Sequence, residues 1–283
     1  MLDIHPDDIV VDATLGGAGH ARAIADKLGL QGIFIGFDLD ADAIERSRKA
    51  LEKVLPRTHL VQGNFRHLSA ELQKLGVKKI TKVLFDLGWS AYQLDSGRGF
   101  SFLADEPLLM TYDQPKTGQL TAEKIVNEWG EESLADIIFG WGQERFARRI
   151  ARAIVAQRER KPFETAQELA ETVRSAVPRA ARRGKLHPAT KTFQALRIAV
   201  NDELGAITEG LSQAWKQLAP GGRIAVITFH SIEDRLVKRT FADLEKKGEG
   251  IRLTRKPIVP NAEEVRANPR ARSAKLRVMQ KNK

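Results

Sequence analysis

Asp12, Asp38 and Asp86 each close an apolar run, and Asn64 and Phe65 close another. Gly16, Gly17 and Gly19 follow the first of these acids. Glycines there let a backbone turn sharply and let a ligand approach closely. Asp38 stands about 20 residues past the glycines, where an acid that holds ribose hydroxyls belongs. The chemistry that fits is binding of a nucleoside-like ligand. Phe65 either flanks its adenine ring or packs beneath a loop. Two details favour S-adenosylmethionine over a dinucleotide. Asp12 ends the first strand, where a carboxylate suits a cationic sulfonium or ammonium group better than a pyrophosphate. The loop also lacks the full G-x-G-x-x-G spacing.

Alternating elements must bring these positions together. Strands are expected at Ile9–Leu15, Gly32–Asp38, His59–Gly63 and Ile80–Leu87, with helices between them at Gly19–Leu28, Ala41–Val54 and His67–Leu75. Such alternation implies an α/β fold with a parallel sheet covered on both faces. Ligands in these sheets sit beyond the C-terminal strand ends, where Asp12, Asp38, Asn64-Phe65 and Asp86 all fall. The glycines and aromatics of 86–102 suit a loop lining a pocket.

From Asp105 to His187 the strand pattern stops. Helices at 121–129, 132–140, 143–159 and 164–176 read as a helical insertion between the fourth and fifth strands. The chain then divides into a discontinuous core, 1–104 with 198–283, and an insertion, 105–197. Phe146, Ile150 and Ile154 recur every four residues as a buried stripe. Arg145, Arg149 and Arg152 share another face, Arg148 and Arg158 add charge, and 178–185 is a basic loop. A charge run is often only a solvated face, but acids are sparse between Arg145 and Lys191, so RNA contact is expected.

A long helix starts near His187, with Phe193, Leu196, Val200 and Leu204 as its core face, and a second helical segment runs to Leu218. Pro220-Gly221-Gly222 turns into a fifth strand, Arg223–Phe229. Ser231 and Asp234 have capping-box spacing at the start of the next helix. That reading leaves His230 and Arg235 unexplained at a strand end on the ligand edge. Arg252–Arg255 and Lys275–Met279 read as the last two strands, joined through a basic loop.

The 283 residues carry a formal net charge of +10, which favours an anionic partner, nucleic acid first. No apolar run approaches a membrane span and no signal-peptide pattern opens the chain, so a cytoplasmic protein is expected. There is no cysteine. That excludes disulfides, Cys-ligated metal sites and a cysteine nucleophile, and no metal site is expected. If a base is modified, an exocyclic nitrogen or a ribose oxygen is the simpler target.

Longer motifs narrow the reading. Asp12-Ala-Thr-Leu-Gly-Gly-Ala-Gly-His20, Asp86-Leu-Gly, Gln93-Leu-Asp95, Arg98-Gly-Phe-Ser-Phe102, Arg145–Ile154, His187–Leu204, Phe229–Arg235 and Asn268–Arg277 run in order over nearly the whole chain. Together they resemble the bacterial 16S ribosomal RNA cytosine-N4 methyltransferase family (RsmH, formerly MraW). The resemblance implies a class I S-adenosylmethionine-dependent methyltransferase core, Rossmann-like, with a helical insertion. It implies methyl transfer from S-adenosylmethionine to N4 of a decoding-centre cytosine in 16S rRNA of the small ribosomal subunit. By position it implies cofactor contacts at Ala18, Gly19, His20, Asp38, Phe65, Asp86 and Gln93, beside Asp12 and Gly17 from the residues themselves.

For that reaction Asp86 is expected to accept hydrogen bonds from the amine, with His230 accepting or relaying the proton. Trp89 or Tyr92 would stack on the extruded base, and Arg145, Arg149, Arg152, Lys191 and Arg235 would contact RNA. Three departures stand out. The family carries a His-x-x-Val-Leu-like segment before the first strand, and this chain starts only a few residues ahead of that strand, which reads as a truncated gene model. Pro-Leu-Asp-Met-Arg-Met-Asp is here Pro107-Leu-Leu-Met-Thr-Tyr-Asp113, and Gly-Val-Ser-Ser-Pro-Gln is Gly88-Trp-Ser-Ala-Tyr-Gln93. Two alternatives stay open: an amino-methyltransferase acting on DNA or another RNA base, and an RNA-binding protein that has lost catalysis. Intact Gly17, Gly19, Asp38 and Asp86 argue against the second.

Overall fold

The computed structural model describes residues 1–88, 91–94, 96–102, 104–184 and 186–283, with Ala91 and Arg183 described by their backbone alone. The chain forms two compact units: Met1–Trp89 with Leu204–Lys283, and Ser90–Glu203. The insertion expected at 105–197 lies within the second.

In the first unit, β1 (Ile9–Asp12), α1 (Gly19–Ala25), β2 (Ile33–Asp38), α2 (Ala41–Ala50), β3 (Arg57–Gln62), α3 (Leu68–Lys74) and β4 (Ile80–Asp86) alternate as the sequence predicts. The second unit holds α4 (Ala91–Leu94), α5 (Ala122–Glu128), α6 (Glu131–Gly140), α7 (Ala147–Arg158), α8 (Ala166–Ala176) and α9 (Thr190–Asn201). Then come α10 (Glu203–Gln217), β5 (Leu218–Thr228), α11 (Ser231–Lys246), β6 (Gly250–Arg252), α12 (Ala262–Ala267) and β7 (Lys275–Lys281).

The sheet has seven strands in the order β3-β2-β1-β4-β5-β7-β6. The first five are parallel, and β7 runs antiparallel between β5 and β6. The order reverses between β1 and β4, the switch point where ligands of such sheets bind. Side chains alternate across the strands. Val11, Ile35, Phe37, Val83 and Phe85 pack against Leu68, Leu72, Ile207, Leu211 and Phe241 of the helices on one face. Val10, Phe34, Leu84 and Ala225 meet Ala21, Ile24 and Ile44 on the other.

Several element boundaries differ from expectation. β1 stops at Asp12, not Leu15, because the backbone turns at Thr14–Gly17 while Ala13 N still donates to Leu84 O and Leu15 N to Phe37 O. β5 begins at Leu218, not Arg223. Its register against β4 jumps from Ile80↔Leu218 to Lys82↔Arg223, so the Pro220–Gly222 turn becomes a bulge inside the strand. The last two strands are Gly250–Arg252 and Lys275–Lys281 instead of 252–255 and 275–279. The long helix breaks at Asp202, whose φ of 45° is left-handed and ends α9 three residues after Ala199.

The second unit has its own core, with Ile125, Ile138, Ile150, Ile154, Leu169, Val173 and Leu196 buried together. The expected stripe holds: Ile150 and Ile154 are fully buried, and Phe146 packs partly buried just before α7. Thr121 and Thr165 cap α5 and α8, the latter in a full box with Glu168.

Candidate cofactor-binding and active site

The C-terminal ends of β1, β2 and β4 carry Asp12, Asp38 and Asp86 to one edge of the first unit. Between them runs the glycine loop. Its left-handed residues are Gly16, at φ 51°, and Ala18, at φ 65°; Gly17 and Gly19 have no positive φ. For alanine that conformation costs energy and is typical of functional loops. A side chain at Gly19 would meet no atom within 4 Å, so open space faces the loop there.

Hydrogen bonds lock the three acids to the loop. Gly16 N donates to Asp38 Oδ2 at 2.8 Å, and Asp40 N to Asp38 Oδ1 at 2.9 Å. Each carboxylate oxygen keeps a second lone pair, so Asp38 can position the loop and still accept from ribose hydroxyls. Thr14 N donates to Asp12 Oδ1 at 3.1 Å, while Thr14 Oγ1 accepts from Asp86 N at 2.7 Å. Thr14 therefore ties the ends of β1 and β4 together. Sequence reasoning missed Thr14, although its place two residues after Asp12, ahead of the turn, was a usable Asx-turn signal.

The acids differ in surroundings. Asp12 is fully buried, and burial pushes its carboxyl up to about 7 despite the Thr14 N–H. Among the described residues, its Oδ2, like Asp86 Oδ1, is buried with no hydrogen-bond partner. Two buried acceptors without donors at a glycine loop suit a ligand that brings positive charge or N–H groups. Asp38 is also raised, chiefly by burial, against the pull of the Asp40 and Gly16 N–H groups. His20 lies with Nε2 3.5 Å from Asp86 Oδ2. That hydrogen bond raises the imidazole above its usual range.

Phe65 follows Asn64, whose side chain accepts from Arg66 N. Its ring meets Phe85 edge-on, centroids 5.4 Å apart at 89°. A Cβ at Gly210 would stand 2.5 Å from Phe65 Cδ2, so glycine on α10 makes room for the ring. Phe65 thus has a packing role and stays partly exposed.

The capping box at α11 is not the expected one. His230, not Ser231, is the N-cap: its Nδ1 accepts from Glu233 N, and Glu233 Oε2 accepts from Phe229 N and His230 N. Asp234 is absent from the box because it holds Arg277 and Lys275. His230 Nε2 lies 3.1 Å from Glu233 Oε1. Arg235 is exposed near the start of the helix.

In the second unit, Gln93 is buried and Tyr92 half-exposed on the short α4. Trp89 lies outside the described residues. Arg145, Arg149 and Arg152 are exposed beside α7's buried stripe. The Arg145 guanidinium covers the Phe146 ring at 4.6 Å, and Arg152 has Glu131 at 3.6 Å. Lys191 is more committed, donating to Gln143 O at 2.9 Å with Glu144 at 3.7 Å. The divergent 107–113 stretch is internally satisfied. Thr111 is buried and donates to Asp113 O, and Tyr112 stacks on Phe100 and donates to Glu203, itself paired with Arg197.

A 3-2-1-4-5-7-6 sheet with an antiparallel seventh strand, a glycine loop after β1 and acids at the β1, β2 and β4 ends defines a class I methyltransferase. The family model described as the MraW methylase family matches residues 1–282. "Ribosomal RNA small subunit methyltransferase H" of Brevibacillus brevis is 48% identical over 99% of this chain and 94% of its own length. Proteins of the same name from Paenibacillus sp. and Clostridioides difficile are 49% and 45% identical, over 99% of this chain and 95% and 94% of theirs. The chain belongs to the MraW methylase family.

Proposed function

We propose that this protein transfers a methyl group from S-adenosylmethionine to N4 of a decoding-centre cytosine in 16S rRNA of the small ribosomal subunit. The family match supports the substrate, and the observation that carries the site is the pair of buried carboxylate oxygens, Asp12 Oδ2 and Asp86 Oδ1, without a partner among the described residues beside the glycine loop. When bound, the cofactor supplies an electrophilic methyl group on a cationic sulfur. Asp12 would face its positive charge, Asp38 its ribose and Phe65 its adenine, with Gly17, Ala18, Gly19, His20 and Gln93 completing the contacts.

The cytosine amine is a poor nucleophile because its lone pair is delocalised into the ring. Asp86 accepting hydrogen bonds from the N–H groups localises that pair and aligns N4 for in-line attack. The N4–methyl bond forms as the methyl–sulfur bond breaks, and the amine proton leaves to a carboxylate or imidazole. Asp86 is the acceptor assigned to that proton here. His230 spends Nδ1 on the α11 cap, which leaves Nε2 as the nitrogen that can relay a proton. Trp89 or Tyr92 stacks on the base. Arg145, Arg149, Arg152, Lys191 and Arg235 hold RNA phosphates, with 105–197 as the recognition domain. The protein acts in the cytoplasm.

Labelled S-adenosylmethionine incubated with small subunits lacking cytosine-N4 methylation tests this reading by nucleoside mass spectrometry. N4-methylcytidine at one site is the expected product. Label on DNA or on another RNA base would select the amino-methyltransferase alternative. Cofactor binding without product would select the non-catalytic RNA-binding protein.

A further inference from the structure

The motif Asn268–Arg277 remains without a role in the chemistry above. From Arg266 to Arg277 the chain has five basic residues and no acid. Much of it is built as a hydrogen-bonded turn. Asn268 accepts from Arg270 N and caps the short 3₁₀ segment Pro269–Ser273, which Pro269 starts and which buries Ala271 alone. The flanking Arg270 and Arg272 are therefore held outward and exposed.

Asp234 then fastens the start of β7, which directly follows this turn, to the start of α11. Its Oδ1 accepts from Arg277 Nε at 2.7 Å, and its Oδ2 from Lys275 Nζ at 3.4 Å. Asp234 thus offsets Lys275 and Arg277 but leaves Arg235, Arg270 and Arg272 exposed, with no ion pair among the described residues. The sheet places Lys275, two residues past the turn, at the reacting edge. Lys275 pairs with Thr228, and the preceding Ile227 pairs with Asp86. Two strand spacings separate β4 from β7, so Lys275 starts its strand roughly 10 Å from the end of β4.

We propose that Arg235, Arg270 and Arg272 form a rim that grips the backbone phosphates of the RNA strand next to the nucleotide being methylated. Three guanidiniums on the start of α11 and on a hydrogen-bonded turn leading into a fastened strand can bind phosphate with little ordering of the chain. The proposal rests on the RNA reading of the site, but its test does not depend on turnover.

The experiment measures binding of a fluorescent 15-nucleotide single-stranded RNA by anisotropy over a KCl series. Wild type, R270Q/R272Q and R270K/R272K are compared, with thermal melts to confirm folding. The glutamine variant should bind about tenfold more weakly, with a salt slope smaller by about 1.4, at roughly 0.7 per phosphate contact on a single strand. The lysine variant should keep the slope. S-adenosylmethionine affinity by calorimetry should be the same in all three. Unchanged RNA affinity and slope in R270Q/R272Q would overturn the rim. If the slope falls as expected but wild type methylates no small subunits, the catalytic reading fails and the rim stands. If wild type methylates and R270Q/R272Q keeps its KM for subunits, the rim fails and the catalytic reading stands.

Discussion

Asp12 at the end of β1 and Arg149 on α7 are both charged residues set beside apolar packing, yet they meet water differently. Asp12 is fully buried, one oxygen held by Thr14 N and the other without a donor. Arg149 is exposed, and the apolar side of its helix lies at Ile150 and Ile154. The first arrangement stores an electrostatic cost in the empty protein and releases it when a cation arrives. The second stores almost nothing, and any anion it meets is held by screened attraction that salt weakens. On the proposed function, preorganisation for the small ligand and loose capture of the large one would be built from opposite solvation states.

The largest effect is expected at the strand-end acids. Asp86→Ala should reduce single-turnover methylation by about 10²–10⁴, the usual range for a group that acts on the transition state, with the melting temperature little changed. Full activity in this variant would remove Asp86 from the chemistry.

Asp12→Asn should stabilise the cofactor-free protein at pH 8 by about 2–4 kcal/mol, since each unit of pKa shift corresponds to about 1.4 kcal/mol. The folded carboxyl, raised to about 7, stays protonated between pH 4 and 7 where the unfolded one has ionised. Wild-type stability should therefore fall as pH rises through that window, and the asparagine variant should lose that slope. Urea melts at several pH values measure this.

On the exposed side the effects are smaller. R145Q/R149Q/R152Q should weaken single-stranded RNA binding about tenfold and reduce the salt slope by about 2, with cofactor affinity untouched. A cofactor effect as large as the RNA effect would break the division of labour between the two charge arrangements. The smallest expected change is at the α11 cap. His230→Ala should cost about 1 kcal/mol in chemical melts, and His230→Asn, itself a good N-cap, should restore it. If both variants lose turnover equally while only one loses stability, His230 relays a proton as well as capping.

Periodic features were easiest to read from the sequence. The βα alternation, the strand-end acids and the buried stripe Ile150–Ile154 follow from repeats of two and 3.6 residues. What escaped depends on partners distant in the chain. Thr14 matters because Asp86 N, on another strand, donates to it. The α11 cap went to His230 because Asp234 is drawn away by Arg277, 43 residues on. Ala18 takes a left-handed conformation that the neighbouring glycines made look like theirs. The Pro220–Gly222 turn was visible, but not that β4 would let it bulge within a strand.

Calorimetry of S-adenosylmethionine binding to wild type and Asp12→Asn, from pH 5.5 to 8.5, bears most directly on the role proposed for the buried Asp12 carboxylate. Wild-type affinity should climb with pH by up to about tenfold per unit below about 7 and level off above it, as the bound cation favours the ionised carboxyl. The asparagine variant should bind more weakly at pH 8 and show no such climb. Equal affinities with the same flat pH profile would contradict the assignment of Asp12 to the cofactor's positive charge.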